Sequence, residues 1–435
     1  MLVSMQASPR PWTIGVVLVV VASALIALWS PSGVDYLAAS CAESVCDDAG
    51  PAIEALSKGD LEGFFANQPA MGSFSLVLRT PAAILGGGDD LLVYRLGVFV
   101  CMLAAGLLAV FLAAAMIRRR LPWTVWALLA IACLVNPLTY QTAFYGHPEE
   151  MLAAALAVAA VIAAGRRHWL IGGLMLGAAL ATKQWAALAV IPALIAAPAR
   201  TRVRLALTCT ALAAALTLPM LAGNPERFHA AQERVSLTDA YTNTITATNV
   251  WWPFASESSG VGTGVDGQTE TLVQYSLPGG AGRAMHLGVI AAALMLCLLY
   301  ARRRGRGNPD DLLELVALLF LLRCMLDPVA LSYHHAPFLV ALIAYEALRR
   351  RVPVLSAYTI AAVLLMNELV VPSGNPGLIN AVYLAWSIPL AGALALSLFA
   401  PERYEALGRR ISRAAGASRW GSAPRTSRAG LPGAP

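Results

Sequence analysis

Runs of about 15 to 25 apolar residues recur along the whole chain, and each is close to the length that crosses a hydrocarbon core about 30 Å thick. Of the 435 residues, 58% are hydrophobic and only 13% are charged, whereas about a quarter of a soluble domain is charged. We therefore predict an all-α, polytopic membrane protein with about twelve transmembrane helices. The predicted spans are 12–30, 91–117, 122–140, 150–165, 168–182, 184–198, 205–222, 286–301, 311–330, 336–348, 353–371 and 378–399.

Short arginine clusters orient these spans, because they fall after every second one, as cytoplasmic loops should. Both termini are then cytoplasmic, and two long loops, 31–90 and 223–285, face outward from the plasma membrane. The first span is too long for a secretory signal core and lacks a clear cleavage site, so we interpret it as a helix. The clusters are Arg118–Arg120, Arg166–Arg167, Arg200 with Arg202 and Arg204, Arg302–Arg304 with Arg306, and Arg349–Arg351.

The formal net charge of +6 lies in these inner loops and in the C-terminal tail, so it requires no nucleic-acid partner. Residues 401–435 are rich in arginine, serine, glycine and proline. Such a composition cannot build a core, and we predict a disordered basic cytoplasmic tail that contacts anionic membrane lipids. The rest of the chain, 1–400, is predicted to form one transmembrane domain.

The first outer loop holds acids that a nearly uncharged chain could use for chemistry. We single out Asp35, Asp47 and Asp48, with the alternative that Asp47 and Asp48 only initiate a helix before a proline. Short amphipathic segments follow them and suit helices on a membrane surface, where an enzyme would meet a lipid-linked substrate. Cys41 and Cys46 form either a local disulfide or two free thiols, and the five other cysteines fall in apolar spans as packing residues.

Four further polar residues lie at predicted outer helix ends or beside the acidic loop. Arg79 either snorkels to the interface or holds a phosphate. His147 and Glu149 form an outer turn, where an acid is also favoured by the helix dipole alone. Lys183 interrupts two short apolar segments, and burying it would cost several kcal/mol, so it either snorkels outward or pairs with an anion.

The second outer loop contains a glycine-rich stretch that we interpret as a mobile loop able to order over a substrate. It has no phosphate-cradle spacing and follows no predicted strand, which argues against a nucleotide site. Further along, Tyr333, His334 and His335 lie at an outer helix end. A tandem histidine pair beside Arg323 and Asp327 at membrane depth favours a functional site. No clear set of metal ligands occurs, so we predict neither a metal nor another cofactor.

Taken together, these motifs resemble the GT-C membrane glycosyltransferases, and in particular the actinobacterial polyprenol-phosphate-mannose-dependent alpha-mannosyltransferases. The features shared over most of 12–400 are an acidic outer loop with a Lys-Gly-Asp turn, a Gly-His outer turn, a lysine in a short helix pair, and Tyr333, His334 and His335. Gly146 with His147 stands where the family usually has Gly-Gln. The resemblance implies a GT-C-like fold and a catalytic acid in the first outer loop. Asp48 or Asp47 fits by its distance to that turn, and Asp35 fits because Tyr36 follows it.

The resemblance implies transfer of a sugar, most naturally mannose, from a polyprenyl-phosphate donor to a lipid or glycan acceptor on the extracytoplasmic face. A phosphate is already a good leaving group, so catalysis needs only acceptor positioning, a general base and cations beside the departing phosphate. Arg79, Lys183 and the histidines are the predicted cations. The alternative is a membrane transporter or lipid flippase, but its charged groups should lie near the midplane rather than at outer helix ends.

Overall fold

The computed structural model describes residues 10–30, 49–69, 71–117, 134–236, 245–263, 269–279, 281–304, 309–328, 330–349 and 353–414. Within these ranges the chain forms seventeen α-helices and one two-stranded antiparallel hairpin. The helices are α1 (Arg10–Trp29), α2 (Gly50–Ser57), α3 (Leu61–Ala66), α4 (Ser73–Gly86), α5 (Asp90–Ile117), α6 (Pro137–Phe144), α7 (Glu149–Gly165), α8 (Trp169–Leu180), α9 (Val190–Ala196), α10 (Ala199–Gly223), α11 (Pro225–Ser236), α12 (Ala281–Arg304), α13 (Pro309–Leu326), α14 (Ala336–Arg349), α15 (Val354–Leu365), α16 (Pro376–Phe399) and α17 (Pro401–Ala414).

Helices α7, α13 and α14 form the centre of the core. In α14 every residue from Ala336 to Leu348 is buried, and in α7 nearly every residue is. A helix that is apolar all round belongs inside a bundle rather than at its surface. The outer helices α10 and α12 instead leave apolar side chains exposed, such as Leu207 and Leu298. That distribution suits a bundle surrounded by lipid.

Helices occur at almost all of the predicted spans. By length and composition alone, five of the described helices could cross a membrane: 90–115, 199–223, 281–303, 354–373 and 376–399. The count of twelve stays a prediction, because 118–133, most of one predicted span, lie outside the described residues. The predicted span 184–198 is not one helix, since a 3-10 helix at Gln184–Ala189 precedes α9.

The first outer loop carries short amphipathic helices from residue 50 onward, as predicted. Ile53 of α2 and Phe64 of α3 are buried, although Leu61 remains exposed. Helix α3 begins at Asp60, whose carboxylate accepts a hydrogen bond from the N–H of Gly63 and so satisfies a backbone group at the helix start. Residues 31–48, which include Cys41 and Cys46, lie outside the described residues. Four of the other cysteines, Cys101, Cys209, Cys297 and Cys324, are free and buried, in agreement with a packing role.

The glycine-rich part of the second outer loop is in part a β-hairpin, so its interpretation as a wholly mobile loop was wrong. Strand β1 (Ser256–Thr263) pairs antiparallel with β2 (Thr269–Ser276). Strand β1 consists mostly of serine and glycine, so its sequence does not predict a strand, whereas β2 contains threonine, valine and tyrosine, which favour strands. Backbone pairing with β2 therefore stabilises β1 as a strand, although its own residues do not favour one.

The start of the C-terminal tail is also ordered, contrary to the predicted disorder of 401–435. Residues 401–414 form α17, with basic residues and three apolar positions, Tyr404, Leu407 and Ile411, at helical spacing. Mean composition predicted disorder, but the 3.6-residue period allows an amphipathic helix. Residues 415–435 lie outside the described residues.

Candidate active site

The turn between α6 and α7 places one histidine and two acids at the start of a buried helix. Asn136 caps α6, and its side chain accepts a backbone N–H of the first turn. Gly146 then turns the chain with φ 81°, a left-handed conformation that glycine adopts without strain. His147 follows, and Glu149 and Glu150 occupy the first turn of α7, where the helix dipole favours carboxylates.

Lys183 stands where α8 has ended and the backbone becomes extended, with φ −146° and ψ 132°. The N–H groups of Gly72 and Phe74 donate to the carbonyls of Thr182 and Ala181, at 3.0 and 2.9 Å. A Cβ atom on Gly72 would lie 2.0 Å from the carbonyl oxygen of Ala181, so this approach requires glycine. The start of α4 is therefore joined, backbone to backbone, to the residues before Lys183.

Arg79 reaches the same region from the middle of α4. It is only 5% exposed, and its Nη1 lies 3.9 Å from Oε2 of Glu149. A Cβ atom on Gly97 of α5 would lie 2.7 Å from Nε of Arg79, so the missing side chain of Gly97 makes room for the guanidinium. Among the described residues, Nε and Nη1 of Arg79 have no hydrogen-bond partner.

These residues meet in one buried ionic cluster, which we define as Arg79, His147, Glu149, Glu150 and Lys183. Nζ of Lys183 lies 3.0 Å from Oε1 of Glu149 and 3.5 Å from Oε1 of Glu150. Nδ1 of His147 lies 3.1 Å from the same oxygen of Glu149. Because a carboxylate only accepts hydrogen bonds, His147 donates from Nδ1.

Opposite charges face one another in the ionic cluster. Burying an unpaired carboxylate is costly, and Glu149 and Glu150 are 0% and 2% exposed. Two carboxylates face two permanent or nearly permanent cations, Arg79 and Lys183, in a region of low dielectric constant where such pairs interact strongly. The side chain of Lys183 is 14% exposed against 6% for Arg79, so Lys183 is the cation that a ligand could reach.

A 3-10 helix at Ser332–His335 places the side chains of a tyrosine and two histidines next to the ionic cluster. The ring of Tyr333 stacks on His147, with centroids 4.9 Å apart and an interplanar angle of 22°. His334 meets Tyr333 edge-on at 4.5 Å. The N–H of Leu331 donates to Nδ1 of His334 at 3.2 Å, so in the neutral ring Nε2 carries the proton and can donate.

His335 faces a different neighbourhood from His334. Its Nδ1 donates to the carbonyl of Ser332 at 3.1 Å, and its Nε2 accepts from the hydroxyl of Tyr383 at 3.0 Å. Burial lowers the pKa of His335 to about 4, so the ring is neutral at physiological pH. Its contacts with Tyr383 and Trp386 place its ring against α16 rather than against the ionic cluster. His335 therefore differs from the phosphate-binding cation that the sequence suggested.

The structure thus brings together six of the ten residues that the sequence singled out: Arg79, His147, Glu149, Lys183, Tyr333 and His334. It directs His335 elsewhere. Asp35, Asp47 and Asp48 lie outside the described residues, so the identity of the general base stays a prediction. In the described part of the chain, no group of three His, Cys, Asp or Glu residues is placed to hold a metal ion.

Sequence reasoning noted Arg323 and Asp327 next to the tandem histidines, but it did not predict the charged group that they form beside this site with His286. Asp327 lies with its Oδ2 4.0 Å from Nε of Arg323 and 3.8 Å from Nδ1 of His286. Arg323 also lies over the ring of Trp185, two residues after Lys183, at 5.7 Å. The four-residue spacing of Arg323 and Asp327 was visible in the sequence. Nothing in the sequence marked His286 as their partner, because that contact depends on the packing of α12 against α13.

The ionic cluster thus lies at adjoining helix ends of a helical bundle that contains five helices of membrane-spanning length and composition. The chain belongs to glycosyltransferase family 87, whose family model matches residues 72–328. It is therefore a membrane glycosyltransferase of the GT-C type, as its motifs predicted. No curated protein matches the chain. The matched region includes the whole ionic cluster.

Proposed function

We propose that this glycosyltransferase moves a sugar, mannose in the first instance, from a polyprenyl-phosphate donor to a lipid or glycan acceptor on the extracytoplasmic face of the plasma membrane. The observation that supports this most is the ionic cluster around Lys183. By the arginine-derived topology, α7 begins and α8 ends on the outer side, so the cluster lies where a lipid-linked phosphate would meet the protein.

The reaction needs one displacement at the anomeric carbon. The acceptor hydroxyl oxygen forms a bond to that carbon while the bond from the carbon to the phosphate oxygen breaks, which inverts the configuration. The acceptor proton passes to a carboxylate of the first outer loop, Asp48, Asp47 or Asp35, acting as general base. The electron pair leaves with the polyprenyl phosphate, whose added negative charge must be stabilised by fixed cations.

Lys183 is the residue we assign to that phosphate, because it is the more exposed of the two cations in the cluster. Nε2–H of the half-buried His334 is a second donor on the same side. Glu149 contacts Lys183 directly and stabilises its positive charge. Arg79 and His147 contact Glu149 and so act on Lys183 through that carboxylate. Tyr333 keeps His147 in place by stacking on its ring.

The test is transfer of radiolabelled sugar from polyprenyl-phosphate mannose to lipids and glycans in membrane vesicles that contain the protein. Asp48→Asn, Asp47→Asn and Asp35→Asn are compared one at a time with wild type at equal protein level. Asp90→Asn is the matched control, because Asp90 is an exposed acid of the same outer loop at the start of α5. We expect one of the three variants to lose transfer by at least about a hundredfold and the control to retain it.

If each of the three single variants transfers sugar as fast as wild type, none of these three aspartates is the general base. If wild type transfers nothing from polyprenyl-phosphate mannose, the same assay with polyprenyl-phosphate glucose separates a wrong sugar from a wrong donor class. Failure with both would reject the polyprenyl-phosphate donor.

A further inference from the structure

A cavity of about 420 Å³ lies at the opposite end of α8 from Lys183, between the start of α8 and the start of α10. Three of its lining residues are arginines, Arg167, Arg200 and Arg204, and a fourth is Trp169. The guanidinium of Arg204 lies 5.9 Å from the centroid of the Trp169 ring, within the range of a cation–π contact. The cavity is thus lined by three arginines, of which Arg204 contacts the aromatic ring of Trp169.

In the described part of the chain, no acid pairs with these arginines. The sequence contains no aspartate or glutamate between Glu150 and Glu226, so α8, α9 and α10 carry no carboxylate. Within the ranges that the structure describes, Arg167, Arg200 and Arg204 take part in no ion pair. Three exposed arginines around one cavity create a local positive potential, which favours the binding of an anion.

Arg167 occupies its place in the cavity at a conformational cost. It ends α7 in a Schellman motif, in which its N–H donates to the carbonyl of Ala164 at 3.1 Å and that of His168 to the carbonyl of Ala163 at 2.9 Å. The backbone of Arg167 has φ 69°, a left-handed conformation in which glycine is strongly preferred and a long side chain is strained. An arginine at this position gives the cavity a charge that glycine would not.

Apolar side chains continue outward from the cavity along both helices. Leu170 and Leu174 of α8 are 49% and 42% exposed, and Val203 and Leu207 of α10 are 67% and 65% exposed. Val203 follows Arg200, and Leu207 follows Arg204, by three residues each, so these apolar side chains share a face of α10 with the arginines. A ligand with a charged end in the cavity and hydrocarbon chains along these residues would satisfy both surfaces.

We infer that this cavity binds the phosphate head group of an anionic phospholipid on the cytoplasmic side of the membrane. The arginines contact the phosphate oxygens, which the planar guanidinium suits well, and the acyl chains lie on the exposed face of α8 and α10. A lipid fits better than a soluble anion because the apolar surface begins directly beside the cavity. This site is separate from the proposed transfer reaction, since it lies at the other end of α8.

Native mass spectrometry of the purified full-length protein in detergent tests the inference. Phosphatidylglycerol, phosphatidylcholine and inorganic phosphate are titrated separately. We expect wild type to bind one phosphatidylglycerol saturably, and to bind phosphatidylcholine at least tenfold more weakly. Replacement of Arg167, Arg200 and Arg204 by glutamine should weaken phosphatidylglycerol binding about a hundredfold. The matched control replaces Arg283, Arg302 and Arg303 by glutamine, three exposed arginines outside the cavity and outside the basic tail, and should bind as wild type does.

Arg167→Gly separates loss of the site from loss of the fold. Glycine relieves the left-handed backbone, so the variant should unfold no more easily than wild type while binding phosphatidylglycerol several-fold more weakly. Equal binding of both phospholipids, unchanged binding by the triple cavity variant, or inorganic phosphate binding as tightly as phosphatidylglycerol would each overturn the inference.

Discussion

Nζ of Lys183 lies 3.0 Å from Oε1 of Glu149, a carboxylate with no exposed surface. Each residue offsets the free-energy cost of burying the other, because an ammonium or a carboxylate buried without an opposite charge strongly destabilises the fold. The pair is assembled from the end of α8 and the start of α7, which are adjacent in the fold although 34 positions separate the two residues. Its consequences for stability and for catalysis can be separated by experiment.

Glu149→Gln should reduce the free energy of unfolding by about 3 to 5 kcal/mol, because it leaves a buried lysine with part of its counter-charge removed. Equilibrium unfolding in detergent, followed by tryptophan fluorescence, measures the change. The control is Glu54→Gln, since Glu54 pairs with Lys58 on the surface, where both side chains are more than half exposed and solvent screens the interaction. Equal effects of the two substitutions would mean that burial of the Glu149 pair contributes nothing.

Lys183→Met should lower the rate of sugar transfer by about a hundredfold to a thousandfold, which is the usual loss when one fixed stabiliser of a developing negative charge is removed. The double variant Lys183→Met with Glu149→Gln should be more stable than either single variant, because it removes one positive and one negative charge together and leaves Arg79 and Glu150 as two opposite charges. Its transfer rate should remain low. Recovery of transfer together with stability would show that Lys183 only supports the fold.

Gly97→Ala should impair transfer by about tenfold to a hundredfold with little loss of stability. The added Cβ would meet Nε of Arg79 at 2.7 Å, and a flexible side chain yields more easily than the backbone, so Arg79 should move away from Glu149. Gly288→Ala is the matched control, since Gly288 also lies in a long helix and has no atom within 4 Å of an added Cβ. The transfer rates and thermal unfolding of both variants are compared. Equal transfer rates for the two variants would contradict a role of Arg79 in positioning the ionic cluster.

His335 should make the protein less stable as the pH falls from about 6.5 to about 4. In the unfolded chain a histidine binds its proton near pH 6.5, whereas burial lowers the pKa of His335 to about 4 in the fold. Between these values the unfolded state binds more protons, so acid favours unfolding; above pH 6.5 the contribution is fully present. Thermal unfolding of wild type and His335→Asn at several pH values measures it.

The difference between the two proteins isolates His335 from the other titrating groups. The decline in melting temperature from pH 6.5 to 4 should be steeper for wild type than for His335→Asn. Parallel curves for the two proteins would contradict a buried neutral histidine hydrogen-bonded to Tyr383.

The sequence predicted the helices well because their signal is local: apolar runs of membrane-spanning length and arginine clusters need no knowledge of packing. It also marked Arg79, His147, Glu149 and Lys183 individually, since each is a polar residue in an apolar setting. That they form one cluster depends on the pairing of α4 with the end of α8, which no local pattern encodes. The tandem histidines show the same limit, because only the fold separates His334, beside the cluster, from His335, beside Tyr383.

The hydrogen bonds from Gly72 and Phe74 to the carbonyls of Thr182 and Ala181 tie together the segments that carry Arg79 and Lys183. Backbone groups are the same whichever side chains surround them, so the spacing of the two cations is insulated from changes in the apolar helices. Substitutions that repack α8 against α10 can then accumulate without shifting the cations, provided that position 72 stays glycine. The apolar faces of α8 and α10 should accordingly be free to vary, while the spacing of the two cations stays fixed.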